Sequence, residues 1–279
     1  MLASRAEAQS QPRGSQPHAV AFEHVALAFD DDVVLSDVTF SIPIGGLTVL
    51  LGGSGSGKSL ILKMVIGLIR PDSGTIHVNG TRIDNMPEAE LLKRRGDVGM
   101  LFQESALFDS LTVAENVGYR LVEEMGMPLD EARRQVEEVL GFIGLAEYLD
   151  RYPSELSGGQ RRRVAIGRAV AAKPRLVLFD SPTTGLDPIT AKTVDREVIK
   201  LRDLQHVTSF LVTHDLNDAF YTAAHRAVQE NGEVKILPAT ADTADDAVFM
   251  VLKDGRIYFQ GSADELKAST DPYLKRYLK

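Results

Sequence analysis

Residues 52–59 read Gly-Gly-Ser-Gly-Ser-Gly-Lys-Ser, between a continuous apolar run, Leu47 to Leu51, and an apolar pattern at helical spacing, Leu60 to Leu68. A run that is apolar at every position fits a strand buried on both faces, the environment found inside a parallel sheet. The pattern GxxxxGK[ST] in that setting commits the segment to a strand, a phosphate-binding loop and a helix. Gly52, Gly53, Gly55 and Gly57, with Ser54 and Ser56 between them, let consecutive backbone N–H groups curl around an anion. The N-terminus of the following helix adds a favourable dipole. Lys58 is spaced to reach the β and γ phosphates of a nucleoside triphosphate and Ser59 to ligate Mg²⁺, with Leu60 completing the set.

Further buried-strand candidates are Val98 to Phe102, Leu176 to Phe179 and Ser209 to Val212, each leading through a polar loop into a helical pattern. Strands alternating with helices predict a parallel α/β sheet with ligands at the carboxyl ends of its strands. Before the phosphate loop, Val25 to Phe29 and Val38 to Ile42 flank Asp30, Asp31 and Asp32, which suits antiparallel strands. A helical stretch from about Val113 to Ala171, with Ala132, Val136, Val139, Leu140 and Ile143 at helical spacing, is read as a subdomain inserted into the core, about 104–171. Residues 230–246 are polar, contain Gly232 and Pro238, and read as a surface insertion ahead of the strands Val248 to Leu252 and Arg256 to Phe259.

With 279 residues, 44% of them hydrophobic and 25% charged, the chain has enough apolar material for one large domain or two small ones. A net charge of −8 argues against a surface devoted to nucleic acid or anionic lipid. The absence of cysteine excludes disulfides and thiolate metal sites. Residues 1–18 are polar and rich in Ser, Gln, Pro and Arg, and read as a disordered tail. No run of about 18 apolar residues occurs, so no membrane span is expected.

The strand Leu176 to Phe179 ends in Asp180, a carboxylate suited to Mg²⁺ opposite the phosphate loop. Leu156-Ser157-Gly158-Gly159-Gln160 precedes a basic helical stretch, and Ser157 with the Gly158 and Gly159 amides forms a second anion site at a helix N-terminus. Arg161, Arg162 and Arg163 read as a solvated face.

This pentapeptide resembles the signature of the ABC ATPases, and the chain supplies that family's other motifs in order from about Ala21 to Lys279. The resemblance implies a P-loop NTPase with a RecA-like α/β core, an antiparallel β subdomain and an inserted α-helical subdomain, spanning 19–262, with a helical extension at 263–279. It implies ATP and Mg²⁺ as cofactors and a homodimer, each nucleotide held between Lys58 of one copy and Ser157 to Gln160 of the other. On this basis Gln103 is the residue that senses Mg²⁺ and couples to a membrane partner. His214 is the switch histidine at the γ-phosphate, and Gly185-Leu186-Asp187 is the loop that crosses the dimer interface. Phe29 fits an aromatic stacked on adenine, or a core residue of its strand.

One position departs from the family. After the equivalent of Asp180 the family has a Glu that polarises the attacking water, whereas this chain has Ser181. A serine hydroxyl is no general base near neutral pH, so slow hydrolysis, or a non-hydrolysing regulatory subunit, stands beside the engine reading. Met100 to Phe108, Leu111 to Val117, Asp187 to Thr190 and the ending Gly261 to Ala263 with Asp271-Pro272 resemble the ATPases of Mla- and Mce-type lipid transport systems. That resemblance implies a lipid cargo, an integral membrane permease bound near residues 106–117, and a peripheral position on the cytoplasmic face of the membrane. A soluble ABC ATPase acting on DNA or ribosomes is the remaining alternative.

Overall fold

A computed structural model describes residues 18–240 and 247–279. The described residues open with two long strands, β1 (His18–Phe29) and β2 (Asp32–Pro43), paired antiparallel around the Asp30–Asp31 turn. Two further strands, β4 (Ser73–Val78) and β5 (Thr81–Arg82), extend this sheet in the order β2-β1-β4-β5. Neither is evident in the sequence, because each offers few apolar residues and gains its burial only by pairing. Phe22 and Phe40 stack across the sheet with ring centroids 4.8 Å apart.

The strand before the phosphate loop, β3 (Leu47–Gly52), is buried at every residue. It runs parallel to β11 (Ala247–Lys253) on one side and to β8 (Thr208–Thr213) on the other. Continuing outward, β7 (Leu176–Asp180) and β6 (Val98–Leu101) are also parallel, and β12 (Arg256–Gly261) closes the far edge antiparallel to β11. The order is β12-β11-β3-β8-β7-β6.

The two-residue period of a strand divides this sheet's side chains between two cores. Leu50, Leu178, Val212 and Met250 face a core shared with α1 (Lys58–Val65) and the antiparallel sheet. Val49, Val177, Leu211 and Phe249 face a second core, covered by α6 (Pro188–Leu204) and α7 (Leu216–Ala224) and, at the C-terminus, by α8 (Ala263–Ala268) and α9 (Pro272–Tyr277). Fully burying a Leu, Val or Phe is worth about 1.5–3 kcal/mol, so both faces hold the strands in register.

A third apolar cluster joins α3 (Val113–Glu123), α4 (Leu129–Phe142) and α5 (Gly158–Val170), through Val113, Val117 and Leu121 on α3, Val136 and Leu140 on α4, and Val164 on α5. The four-residue spacing puts each set on one face of its helix. Thr112 and Glu115 form a reciprocal capping box that starts α3. A short helix, α2 (Glu88–Arg95), precedes β6.

The helix expected over 60–68 is shorter, because Gly67 turns left-handed with φ 67°. Part of the 230–246 segment is regular: β9 (His225–Glu230) and β10 (Glu233–Pro238) form a hairpin whose turn residues Asn231 and Gly232 have φ 53° and 83°. Asn-Gly with both φ values positive is the tight-hairpin signal, which the polar character of the segment obscured. Residues 241–246, and residues 1–17 of the expected tail, lie outside the described residues. Among the described residues no helix is long and apolar enough to cross a membrane.

Candidate functional site

The loop after β3 is shaped by the steric demands of its glycines. Gly55 and Gly57 have φ 75° and 98°, in the left-handed region that a Cβ disfavours. A Cβ on Gly52 would stand 2.8 Å from Ser56 Oγ and 2.9 Å from the Leu252 carbonyl oxygen, so the strand end admits no side chain. Gly57 caps α1 with backbone alone, and the helix carries neither a side-chain cap nor an acidic residue in its first turn. Its leading N–H groups are thus left for an anion. Lys58 folds back under the loop and donates to the carbonyls of Gly52 (2.9 Å) and Gly53 (2.7 Å). Burial holds its ammonium below the usual lysine range, against the opposing pull of Asp180. An arriving phosphate would offer a charged acceptor in place of two neutral ones.

Ser59 donates from Oγ to Asp180 Oδ1 at 2.9 Å. Burial raises the Asp180 carboxyl above the ordinary range, while the Ser59 hydrogen bond and then Lys63, Lys58 and Arg162 draw it back down. One hydroxyl and one carboxylate, both hard oxygen donors and already within hydrogen-bond distance, fit Mg²⁺, which takes one or two carboxylates and completes its shell with phosphate and water. Among the described residues no cluster of three or more His, Cys, Asp or Glu could hold a metal by itself.

Strand order collects the remaining candidates. Residues 52–59, His214, Asp180–Ser181 and Gln103 stand at or just past the ends of β3, β8, β7 and β6 respectively, four neighbours in the sheet, and so share its carboxyl edge. His214 and Gln103 are exposed. Ser181 is buried with φ 47°, and its N–H donates to the Val212 carbonyl at 2.8 Å. Phe29 ends β1 and is 48% exposed, which removes the core reading of this residue. The start of β2, just past the turn that follows Phe29, adjoins the loop, since a Cβ on Gly57 would meet Leu35 at 3.0 Å and Val34 at 3.1 Å.

Ser157 caps α5: its Oγ accepts from Gln160 N–H at 3.3 Å, and Gln160 Oε1 accepts from Ser157 N–H at 2.8 Å. The Ser157 hydroxyl proton and the Gly158 and Gly159 amides remain at the helix start. This end packs on the segment after β7, where a Cβ on Gly158 would meet Leu186 at 3.5 Å and one on Gly159 would meet Thr190 Cγ2 at 2.1 Å. Asp187 caps α6, accepting from the amides of Ile189 and Thr190 at 3.1 Å each. Its carboxylate thus serves the fold of its own chain.

The solvated-face reading of residues 161–163 fails at its centre. Arg162 is 5% exposed, and its Nη1 donates to the carbonyls of Phe102 (3.0 Å) and Gln103 while Nη2 donates to Thr184 (3.3 Å). Arg163 reaches the Ile143 carbonyl and Arg161 that of Leu156. The spacing of Arg162 with Ile166 and Ala169 marks the buried face of α5, a signal that the run of three arginines masked. Other buried polar residues escaped notice. Asn116, fully buried, accepts from Phe108 N–H and donates to the carbonyls of Phe108, Leu111 and Thr112 at 2.8–3.0 Å. Thr183 donates to Asp218 on α7, beside the buried Asp195 of α6.

Comparison with known proteins gives a consistent result. A family model described as "ABC transporter" matches residues 35–184. The sulfate/thiosulfate import ATP-binding protein CysA of Mycobacterium tuberculosis is 38% identical over 228 residues, covering 82% of this chain and 63% of its own length. The methionine import ATP-binding protein MetN of Corynebacterium jeikeium is 37% identical over 232 residues, covering 83% of this chain and 56% of its own. This chain therefore spans about three fifths of such relatives. Among solved structures, a dimeric ATP-binding cassette in a post-hydrolysis state, bound to ADP and phosphate, superposes with a TM-score of 0.71 at 29% identity, over 87% of this chain and 98% of that one.

Proposed function

Because this chain belongs to the ABC transporter family, we propose that it is the ATP-binding subunit of a membrane transporter and that it works as a homodimer. The observation that carries the reading is the convergence of residues 52–59, His214, Asp180 and Gln103 on adjacent strand ends. In it, Lys58 exchanges the Gly52 and Gly53 carbonyls for β and γ phosphate oxygens, and the free amides of α1 cradle the same phosphates. Ser59 and Asp180, with Gln103 as a further ligand, would hold Mg²⁺, which would supply positive charge against the phosphate oxygens. His214 contacts the γ-phosphate. Ser157, Gly158 and Gly159 of a second copy cover it from the other side, with Asp187 at the interface and Phe29 against adenine. Free energy enters through nucleotide binding and domain closure, and Ser181 makes the hydrolytic step slow.

The helical segment, 104–171, presents residues 106–117 to an integral membrane permease, with the chain peripheral on the cytoplasmic face. For the cargo, the motif resemblance at 100–117 favours a lipid, whereas CysA and MetN are named for import of sulfate/thiosulfate and of methionine. The test is ATP binding and hydrolysis by the full chain, alone and with its permease in vesicles, wild type beside Lys58→Ala. Binding lost in Lys58→Ala supports the reading, and undiminished binding refutes it. Movement of labelled phospholipid, sulfate or methionine across the same vesicles decides the cargo.

A further inference from the structure

Helix α5 sends two arginines into the loop that follows β6. Arg162 holds the carbonyls of Phe102 and Gln103, and further along the helix Arg168 holds those of Ser105 (3.0 Å) and Ala106 (2.7 Å). The loop between them is strained, since Ser105 and Ala106 are consecutive non-glycine residues with φ 65° and 48°. A non-glycine residue keeps such a backbone only where its surroundings impose it. The arginines are the imposing groups, because a guanidinium fork binds two carbonyls in fixed geometry.

Arg162 does something Arg168 does not. Its second arm reaches Thr184, in the loop that begins at Ser181, so one planar group spans two loops at the carboxyl edge of the sheet. A buried cation is costly unless its charge is answered and its donors are used. Asp180 answers the charge, yet Nε remains buried without an acceptor. An apolar residue of similar length would fill the same space without that cost, so the value of the guanidinium lies in the carbonyls it links.

We propose that Arg162 is a positioning residue that ties the Gln103 loop and the 181–184 loop to helix α5, setting the geometry in which Asp180 and Gln103 meet magnesium-bound nucleotide. This rests on the nucleotide reading above and deepens it: a turn of α5 about its own axis moves both loops at once.

The test uses the full chain as wild type, Arg162→Met, Arg162→Lys, Arg168→Met and Lys58→Ala. ATP affinity is measured calorimetrically with Mg²⁺ and with EDTA, and amide hydrogen exchange is followed in residues 102–106 and 182–186. Arg162→Met is expected to keep the EDTA affinity within twofold, to cut the Mg²⁺ enhancement at least fivefold, and to accelerate exchange in both loops together. Arg162→Lys, which keeps the charge but not the fork, should fall between wild type and Arg162→Met. Arg168→Met should accelerate residues 105–106 and leave 182–186 unchanged. An unaltered Mg²⁺ enhancement in Arg162→Met, or equal losses with Mg²⁺ and EDTA, overturns the proposal. Wild type that binds ATP no better than Lys58→Ala sinks the nucleotide reading instead, and the exchange data still decide whether Arg162 ties the loops. Should Arg162→Met not fold, the Lys variant carries both measurements.

Discussion

Replacing Ser181 with Glu restores the carboxylate that the family resemblance leads one to expect, and the surroundings set what the change should cost and gain. The backbone there is pinned by the Ser181 N–H bond to Val212, so the new side chain cannot relieve itself by moving the strand end. It enters a site only 7% exposed, next in sequence to Asp180, whose carboxyl burial has already raised. Two carboxylates about 5 Å apart at an effective dielectric near 20 repel by roughly 3 kcal/mol. Lys58, Lys63 and Arg162 act on the same site and offset part of this. A stability loss of about 1–3 kcal/mol is therefore expected in the free protein. The gain is catalytic: a positioned general base is worth about 10²–10⁴ in rate, or roughly 3–5 kcal/mol of barrier. KM for ATP should stay within about threefold, because ground-state binding rests on residues 52–59. Phosphate release at saturating Mg-ATP, with Ser181→Gln as the neutral control of matching size, separates charge from bulk. Equal turnover in the Glu and Gln variants, or wild type as fast as Ser181→Glu, would show that this position does not limit hydrolysis.

Three other perturbations follow from the packing. Gly159→Ala drives a methyl group into Thr190 Cγ2 and should cost about 1–3 kcal/mol in chemical denaturation, most of it recovered in the double variant with Thr190→Ser. Asn116→Leu, similar in volume, strands the Phe108 amide and the Leu111 carbonyl, while the Phe108 and Thr112 carbonyls keep the backbone N–H groups of Leu111 and residue 116, and should destabilise by roughly 2–4 kcal/mol, with no recovery on raising salt. Asp195 has its carboxyl pushed up to about 8, first by burial and then by Asp218, with Lys192 opposing at 3.7 Å. The folded chain thus keeps a proton that the unfolded chain has released above about pH 4, and the stability contributed by this group is full below that pH and lost as pH rises towards 8. Asp195→Asn should accordingly gain in melting temperature relative to wild type on going from pH 5 to pH 8; a constant difference would refute the assignment.

What the sequence made legible depended on how local the determining physics was. The phosphate loop, β3 and Asp180 could be read because an unbroken apolar run, a glycine spacing and a terminal carboxylate each carry their meaning within ten residues. The β9–β10 hairpin was equally local, in Asn231–Gly232, but polar flanks hid it. Strands β4 and β5 and the burial of Arg162 were not legible in that way, since each depends on partners far along the chain: β4 on β1, and Arg162 on the loops at 102 and 184. Asp187 carries a further part that its motif did not signal, since its carboxylate caps its own helix.

The position of β3 at the centre of the sheet carries a consequence for how the protein is made. The strand that feeds the phosphate loop leaves the ribosome well before its two neighbours, β8 and β11, which begin 161 and 200 residues after its own start at Leu47. During synthesis at about 5–20 residues per second, an apolar ribbon with both edges open waits on the order of ten seconds or more for its flanking partners. Contacts of such long sequence separation also form slowly once available. The nascent chain is thus most prone to aggregate before β11 emerges, and truncations ending between residues 214 and 247 should demand chaperones that a chain carried through to residue 279 does not.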